Sequence, residues 1–256
     1  MTNNVTADAT HAGPDCVSRQ HARTRVLVAI ASYGRGNDRY LAQLLDEYRA
    51  MSFDVDIVVL SNIDKDLGTG VELRVGLPSK NPWSLPFAHK TLFAERADKY
   101  DLFVYSEDDI LITESHLRAF LDVTAKLESD EVAGFLRIEK GPDGGVSFPD
   151  VHSHFHWEPQ SFRSRGEHLL ARFTNEHAAC FVLTRDQLAK AIGSGGFVVE
   201  PHEEKYDLLC TAATDPYTQC GFTKLIPISR LGDFAVHHLS NKYVGRMGVD
   251  EPEMQR

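Results

Sequence analysis

Apolar residues run unbroken from Val26 to Ala31 in VLVAIAS and return from Ile57 to Leu60 in VDIVVLSN. Both stretches are rich in β-branched residues and apolar on both faces, the pattern of strands inside a parallel sheet. Between them, DRYLAQLLDEYRAM places Leu41, Leu44, Leu45 and Tyr48 at helical spacing. This β-loop-α-β opening predicts a doubly wound α/β sheet. LPSKNPWSLPF, from Leu77, carries three prolines and reads as a loop. Helical periodicity resumes in AHKTLFAERADKY, followed by a third buried strand, Asp101 to Ser106, and a helix over ESHLRAFLDVTAKLE. EVAGFLRIEK reads as a strand, and 141–172, rich in Gly, Pro, His and aromatics, as a loop-rich rim. HAACFVLTRDQLAKAI restores strand-then-helix order, a further helix is expected from about His202, and LIPIS and FAVHHL read as short strands.

Residues 1–24 are polar and aperiodic and read as a flexible tail, and 246–256 as a loose end. One domain over 25–245 is expected, with a nucleotide-binding half at about 25–135 and an acceptor half at about 136–245. A chain of 256 residues with 42% apolar and 25% charged residues can bury a full core. Its formal charge of −10, from 27 basic and 37 acidic side chains without a clustered basic face, argues against a nucleic-acid partner. Cys16, Cys180, Cys210 and Cys220 show no C-x-x-C spacing, and the N-terminus has no apolar signal core. With no run long enough to span a membrane, the expected location is the cytoplasm.

The candidate chemistry lies in YDLFVYSEDDILIT, where a buried strand runs into Glu107-Asp108-Asp109 and straight back into apolar residues. The plain reading is a solvated acidic turn. Adjacent carboxylates at the carboxyl end of an inner strand repel and lose hydration, and ligands of open α/β sheets sit at that end. A divalent ion held by one or two carboxylates and completed by diphosphate oxygens accounts for both facts. Gly34-Arg35-Gly36 suggests a dinucleotide fingerprint, but its third glycine falls at position 39, which is Arg39. The turn could still offer backbone N–H groups to a phosphate, with Arg35 adding charge. His152, His154 and His156 alternate as on one strand face and would span ~13 Å, too far for all three to share one zinc ion. Trp157 and Glu158 beside them are candidates for acceptor binding, an aromatic face suiting the C–H side of a sugar.

The acidic stretch resembles the D-x-D element of GT-A glycosyltransferases, including those in which it reads E-D-D. The resemblance covers roughly 25–245 through element order and a few motifs. It implies a Rossmann-like mixed sheet flanked by helices, a loop-rich acceptor half, and transfer of a sugar from a nucleotide-sugar, UDP being mildly preferred, to an acceptor hydroxyl. It further implies Mn2+ or Mg2+ bound directly by Asp109, with Glu107 and Asp108 orienting the donor. Ser32 and Tyr33 resemble the first nucleotide-binding loop, and His89 and Lys90 sit where such enzymes often contact the nucleotide. The resemblance makes Glu204, then Glu203, the candidate catalytic base, with Asp215 a weaker one. It makes His238 a second metal ligand and Lys242 a diphosphate contact, although the usual glycine and proline markers near them are missing. Three rivals are a nucleotidyltransferase making nucleotide-sugars, a non-catalytic sugar- or nucleotide-binding module, and a histidine-based zinc hydrolase.

Overall fold

The computed structural model describes residues 23–250. The expected tail up to residue 22, and 251–256, lie outside the described residues. The first half runs β1 (Arg25–Ser32), α1 (Asp38–Ala50), β2 (Asp54–Ser61), β3 (Val71–Val75), α2 (Ala88–Glu95), β4 (Leu102–Glu107), β5 (Ile110–Leu111) and α3 (Glu114–Thr124). The second continues with β6 (Glu131–Ala133), β7 (Leu136–Lys140), β8 (Val146–Phe148), β9 (Arg163–Arg165), β10 (His168–Ala171) and β11 (Cys180–Thr184). It closes with α4 (Arg185–Gly193), α5 (Leu208–Thr218), β12 (Thr223–Pro227), β13 (Ala235–His238) and β14 (Val249–Asp250).

The main sheet has the order β11-β4-β1-β2-β3. β4, β1, β2 and β3 are parallel, and β11 joins β4 antiparallel. The architecture is a mixed, Rossmann-like α/β sheet flanked by helices, as expected. The sequence explains its centre: Val26 to Ile30 and Leu102 to Tyr105 are fully buried, as strands covered on both faces must be. Leu41, Leu44, Leu45 and Tyr48 turn the apolar stripe of α1 onto this sheet, each buried aliphatic side chain contributing about 2 kcal/mol. Two smaller sheets, β6-β12-β10-β9 and β14-β8-β7-β13-β5, form the second half.

Several local readings change. EVAGFLRIEK is two strands, because the chain breaks at Gly134-Phe135 and sends β6 and β7 into different sheets. VELRV, half exposed and therefore weak in apolar pattern, is the edge strand β3. The proline loop contains a 3-10 turn, Pro82–Phe87, started by Asn81, whose side chain accepts from Trp83 N–H. The last helix begins at Leu208, six residues after His202, where the Asp207 side chain caps Cys210 N–H. His152 to His156 form a turn and not a strand, so the three imidazoles do not share a face. Val249 and Asp250, inside the segment read as loose, pair with β8.

His89 and Lys90 on α2 face inward. His89 is fully buried, its Nδ1 is 2.6 Å from Pro86 O, and its ring packs on Tyr105 and Phe181. Lys90 ion-pairs with fully buried Asp215 of α5 and lies 4.7 Å from the centre of the Phe87 ring. Both residues, and Asp215, therefore brace α2 and the 3-10 turn against α5, and the expected nucleotide and base roles do not fit their positions. Removing one partner of a buried pair strands the other charge. Asp215→Ala should lower the unfolding free energy by about 3–5 kcal/mol in urea titration, and adding Lys90→Met to it should recover much of that loss.

Candidate functional site

β1 and β4 run side by side in a register that pairs Ala31 with Glu107. Their carboxyl ends place Ser32 beside the acidic triplet. Ser32 Oγ donates to Asp108 Oδ2 at 2.6 Å, and Asn37 Nδ2 donates to Asp108 Oδ1 at 2.7 Å. Lys65 lies under the same loop, donating to Ser32 Oγ at 2.9 Å and to Asp38 Oδ1 at 2.6 Å. Burial pushes the Asp108 carboxyl above its ordinary value despite those bonds. Asp108 thus ties the first loop to the strand end.

Asp109 faces the other way, toward the sheet that contains β13. Its carbonyl accepts from Leu239 N–H at 2.8 Å, and the next residue, Ile110, pairs with His238. His238 Nε2 is 3.0 Å from Asp109 Oδ2 and 2.8 Å from Ser240 Oγ. His238 Nδ1 is 2.6 Å from Glu139 Oε1, and the other Glu139 oxygen accepts from Tyr243 N–H at 2.8 Å. Burial acts to raise the Asp109 pKa, but His238, Ser240 and Lys242 together hold it below the usual carboxylate value.

Glu107 closes β4 and opens onto solvent only through the cavities around it. Burial first, then the charge of Asp109, pushes its carboxyl up to about 8, against the opposing pull of Arg137. Its N–H donates to Ala179 O at 3.0 Å, and Ala179 holds a left-handed φ of 52° just before β11. A non-glycine residue there is strained, which marks a strand end built for placement.

Two cavities meet at Glu107 and at Leu209 in the first turn of α5. The first, about 440 Å³, is lined by Ala31, Tyr33, Asn37, Trp83 and Asp108 among others. Tyr33 and Trp83 are 53% and 55% exposed, so two large aromatic faces stand open on one cavity. The second, about 350 Å³, is more polar and includes Arg137, His177, Tyr206, Asp207, Lys242 and Tyr243. Arg137 is held there by buried Asp150, with Nε 2.9 Å from Oδ1. Burial, then the Arg137 charge, depresses the His177 pKa to about 3, so its imidazole is neutral at physiological pH.

The fold therefore gathers Ser32, Tyr33, Glu107, Asp108, Asp109, His238 and Lys242 from the residues expected in sequence. It does not gather the rest. Arg35 is turned aside, donating to Asp64 O at 3.1 Å and pairing with Asp38 at 3.6 Å. Glu203 is exposed, and Glu204 accepts from Gln219, the residue that ends α5. Neither glutamate lines either cavity. The carboxylate at the cavity end is Asp207, whose signal was legible as a helix-capping Asp before an apolar run. Trp157 packs on Phe173 with centroids 5.1 Å apart, Glu158 pairs with Arg172 at 3.3 Å, and neither lines a cavity. Trp83 and Glu139 were not expected because long-range folding alone joins them to the site, and Asn37, in the loop after Ser32 that carries Tyr33, reads in sequence only as a helix-start residue.

Asp109 Oδ2 and His238 Nε2 are 3.0 Å apart, a hydrogen-bond distance, so an ion held by this pair would take the place of that bond. Asp109 and His238 present an oxygen and a nitrogen side by side, and Glu139 on Nδ1 leaves Nε2 as the atom turned toward Asp109. Such a pair needs substrate oxygens or water to complete the shell.

No family model matches the chain, and no curated protein matches it. Among solved structures it is similar to a 4-diphosphocytidyl-2C-methyl-D-erythritol synthase, with 11% identity, 67% of this chain and 79% of that chain covered, and a TM-score of 0.36. At that distance the function has to be argued from the site itself. Among the described residues, no helix is long and apolar enough to cross a membrane.

His177 generates a pH prediction. Its folded pKa of about 3 lies below the ordinary 6.5, so the unfolded chain binds the proton more tightly. Its contribution is present in full above pH 6.5 and is lost as pH falls toward 3, by up to about 1.4 kcal/mol per pH unit. Urea titrations between pH 7 and pH 4.5 should show a shallower fall in stability for His177→Gln than for the parent.

Proposed function

We propose that the protein is a divalent-metal-dependent transferase that moves a sugar from a nucleoside-diphosphate sugar to an acceptor hydroxyl. The observation that supports this reading most is the meeting of an aromatic cavity and a polar cavity at Glu107, beside Asp108, Asp109 and His238. A base and ribose fit between Tyr33 and Trp83, where stacking faces are open. The sugar and the acceptor then fall on the polar side, in front of Lys242 and Asp207.

In this reading Asp109 and His238 hold Mn2+ or Mg2+, which when bound neutralises charge growing on a departing diphosphate. Glu139 keeps the His238 ring in place. Lys242, exposed at the cavity mouth, adds a positive charge toward the phosphates. For an inverting transfer, Asp207 takes the acceptor proton, replacing Glu203 and Glu204 as the carboxylate in position. UDP as the nucleotide rests on family frequency alone.

Nucleotidyl transfer, forming a nucleotide-sugar from a nucleoside triphosphate and a sugar phosphate, is the second reading. One feature of the fold favours it: Lys65, distant in sequence, lies directly beneath the loop after β1, where such chemistry uses a cation. Its bond to Asp38 commits that charge within the protein.

A panel of nucleotide-sugars with manganese or chelator, scored for nucleoside diphosphate release, tests the first reading. Nucleoside triphosphate with sugar phosphate, scored for pyrophosphate, tests the second. Asp109→Ala should reduce the metal-stimulated rate by about 100-fold or more and also lower the thermal midpoint, because it strands buried His238. Asp109→Asn, which keeps a hydrogen-bond partner there, should lose the rate with a smaller fall in midpoint. Asp207→Asn should lower kcat by about 100-fold while donor affinity stays close to the parent's. Pyrophosphate release without donor turnover would transfer the assignment to nucleotidyl chemistry, and full donor turnover in Asp109→Ala would remove the metal assignment.

A further inference from the structure

Asp122 near the end of α3, Glu167 in the turn between β9 and β10, and His168 at the start of β10 form a cluster that lines neither cavity of the site. Each offers one ligand atom, and the three atoms lie within 4.8 Å of one another, the one such trio of His, Cys, Asp or Glu among the described residues. His168 is only 3% exposed, and its Nε2 is buried without a hydrogen-bond partner. That nitrogen faces Asp122 Oδ2 at 3.7 Å and Glu167 Oε1 at 3.6 Å.

Those separations exceed the roughly 2.7–3.2 Å of an N–H···O bond. They come close to the distance two donors keep when they share a tetrahedral ion, about 3.3–3.6 Å for bonds of 2.0–2.2 Å. A buried ring nitrogen aimed between two carboxylates at this spacing lacks a partner that a cation would supply. Gly166, with φ of 57°, makes the tight turn that brings Glu167 to this point. Arg230 Nη1 pairs with the same Asp122 oxygen, Oδ2, and its Nε with Asp233, so an ion here competes with the guanidinium for that oxygen or takes the other one. The exposed carboxylates leave a side open to water for the fourth position.

We propose that His168, Glu167 and Asp122 form a second metal site, suited to Zn2+, that staples α3 to the β9–β10 hairpin. Zinc accepts His nitrogen and Asp or Glu oxygen at about 2.0–2.2 Å in tetrahedral geometry, with water able to fill a fourth position. The site stands apart from Asp109 and does not depend on the proposed transfer.

The test uses the full chain stripped with chelator and titrated with zinc chloride, in an Asp109→Ala background so that the acidic triplet contributes least. Calorimetry should give one zinc per chain, and zinc at a hundredfold over its Kd should raise the thermal midpoint by about 5 °C. Glu167→Gln, an exposed change, should weaken zinc binding about tenfold or more, and His168→Gln should abolish it. Zinc affinity unchanged in both variants, or no zinc-dependent shift in the Asp109→Ala chain, overturns the site. Should His168→Gln fail to fold, Glu167→Gln decides alone.

Discussion

Carboxylates crowded below a protein surface repel one another and lose hydration, and each needs a partner before the chain can fold around it. Glu107, Asp108, Asp109 and Glu139 impose that demand at one point. The fold meets it unevenly. Asp108 has Ser32 and Asn37, while Asp109 and Glu139 share His238. Glu107 is left with the more distant charges of Arg137 and Lys242, and its pKa rises to about 8. The remaining cationic capacity nearby is already committed, Arg137 to Asp150 and Lys65 to Asp38. An arrangement that holds Glu107 protonated at the meeting of two cavities would release that proton when a cation arrives beside it.

Much of the fold could be read from the chain because the strands that matter are apolar on both faces. Val26 to Ile30 and Leu102 to Tyr105 had to be interior, and the acidic residues after the second run had to mark the sheet's carboxyl edge. Asp109 and His238 were legible for different reasons. Asp109 follows directly from the strand, whereas His238 came only from family resemblance, and folding was needed to bring them within 3.0 Å.

The residues that moved out of the site share one physical cause. Polarity in sequence does not distinguish a side chain that faces solvent from one whose partner is far away in the chain. Lys90 and Asp215 are 125 positions apart and satisfy one another in the core. His89 looked available as a polar residue but fits an aromatic nest with Tyr105, Phe93, Phe181 and Phe197. Glu203 and Glu204 were misplaced because the helix was started too early. A capping side chain sets the true boundary, and it is Asp207, not Glu203 or Glu204, that lines the polar cavity.

The seam between the sheets divides the proposed site between the two halves of the chain. Asp108 is bonded to the loop of the main sheet, and Asp109, one peptide further on, is bonded to a histidine of another sheet. Ile110 then pairs directly with His238, so the backbone that carries the carboxylates is itself the junction. Residues 25–135 contain the acidic triplet and most of the aromatic cavity, whose wall is completed by Leu209, but lack Glu139, Asp207, His238 and Lys242. Any displacement of β13 relative to β4 changes the distance between Asp109 and His238 before it changes anything within either sheet. Stability and site geometry are therefore coupled at this one junction, where the Asp109–His238 bond and the backbone pairing of Ile110 with His238 hold the two elements together.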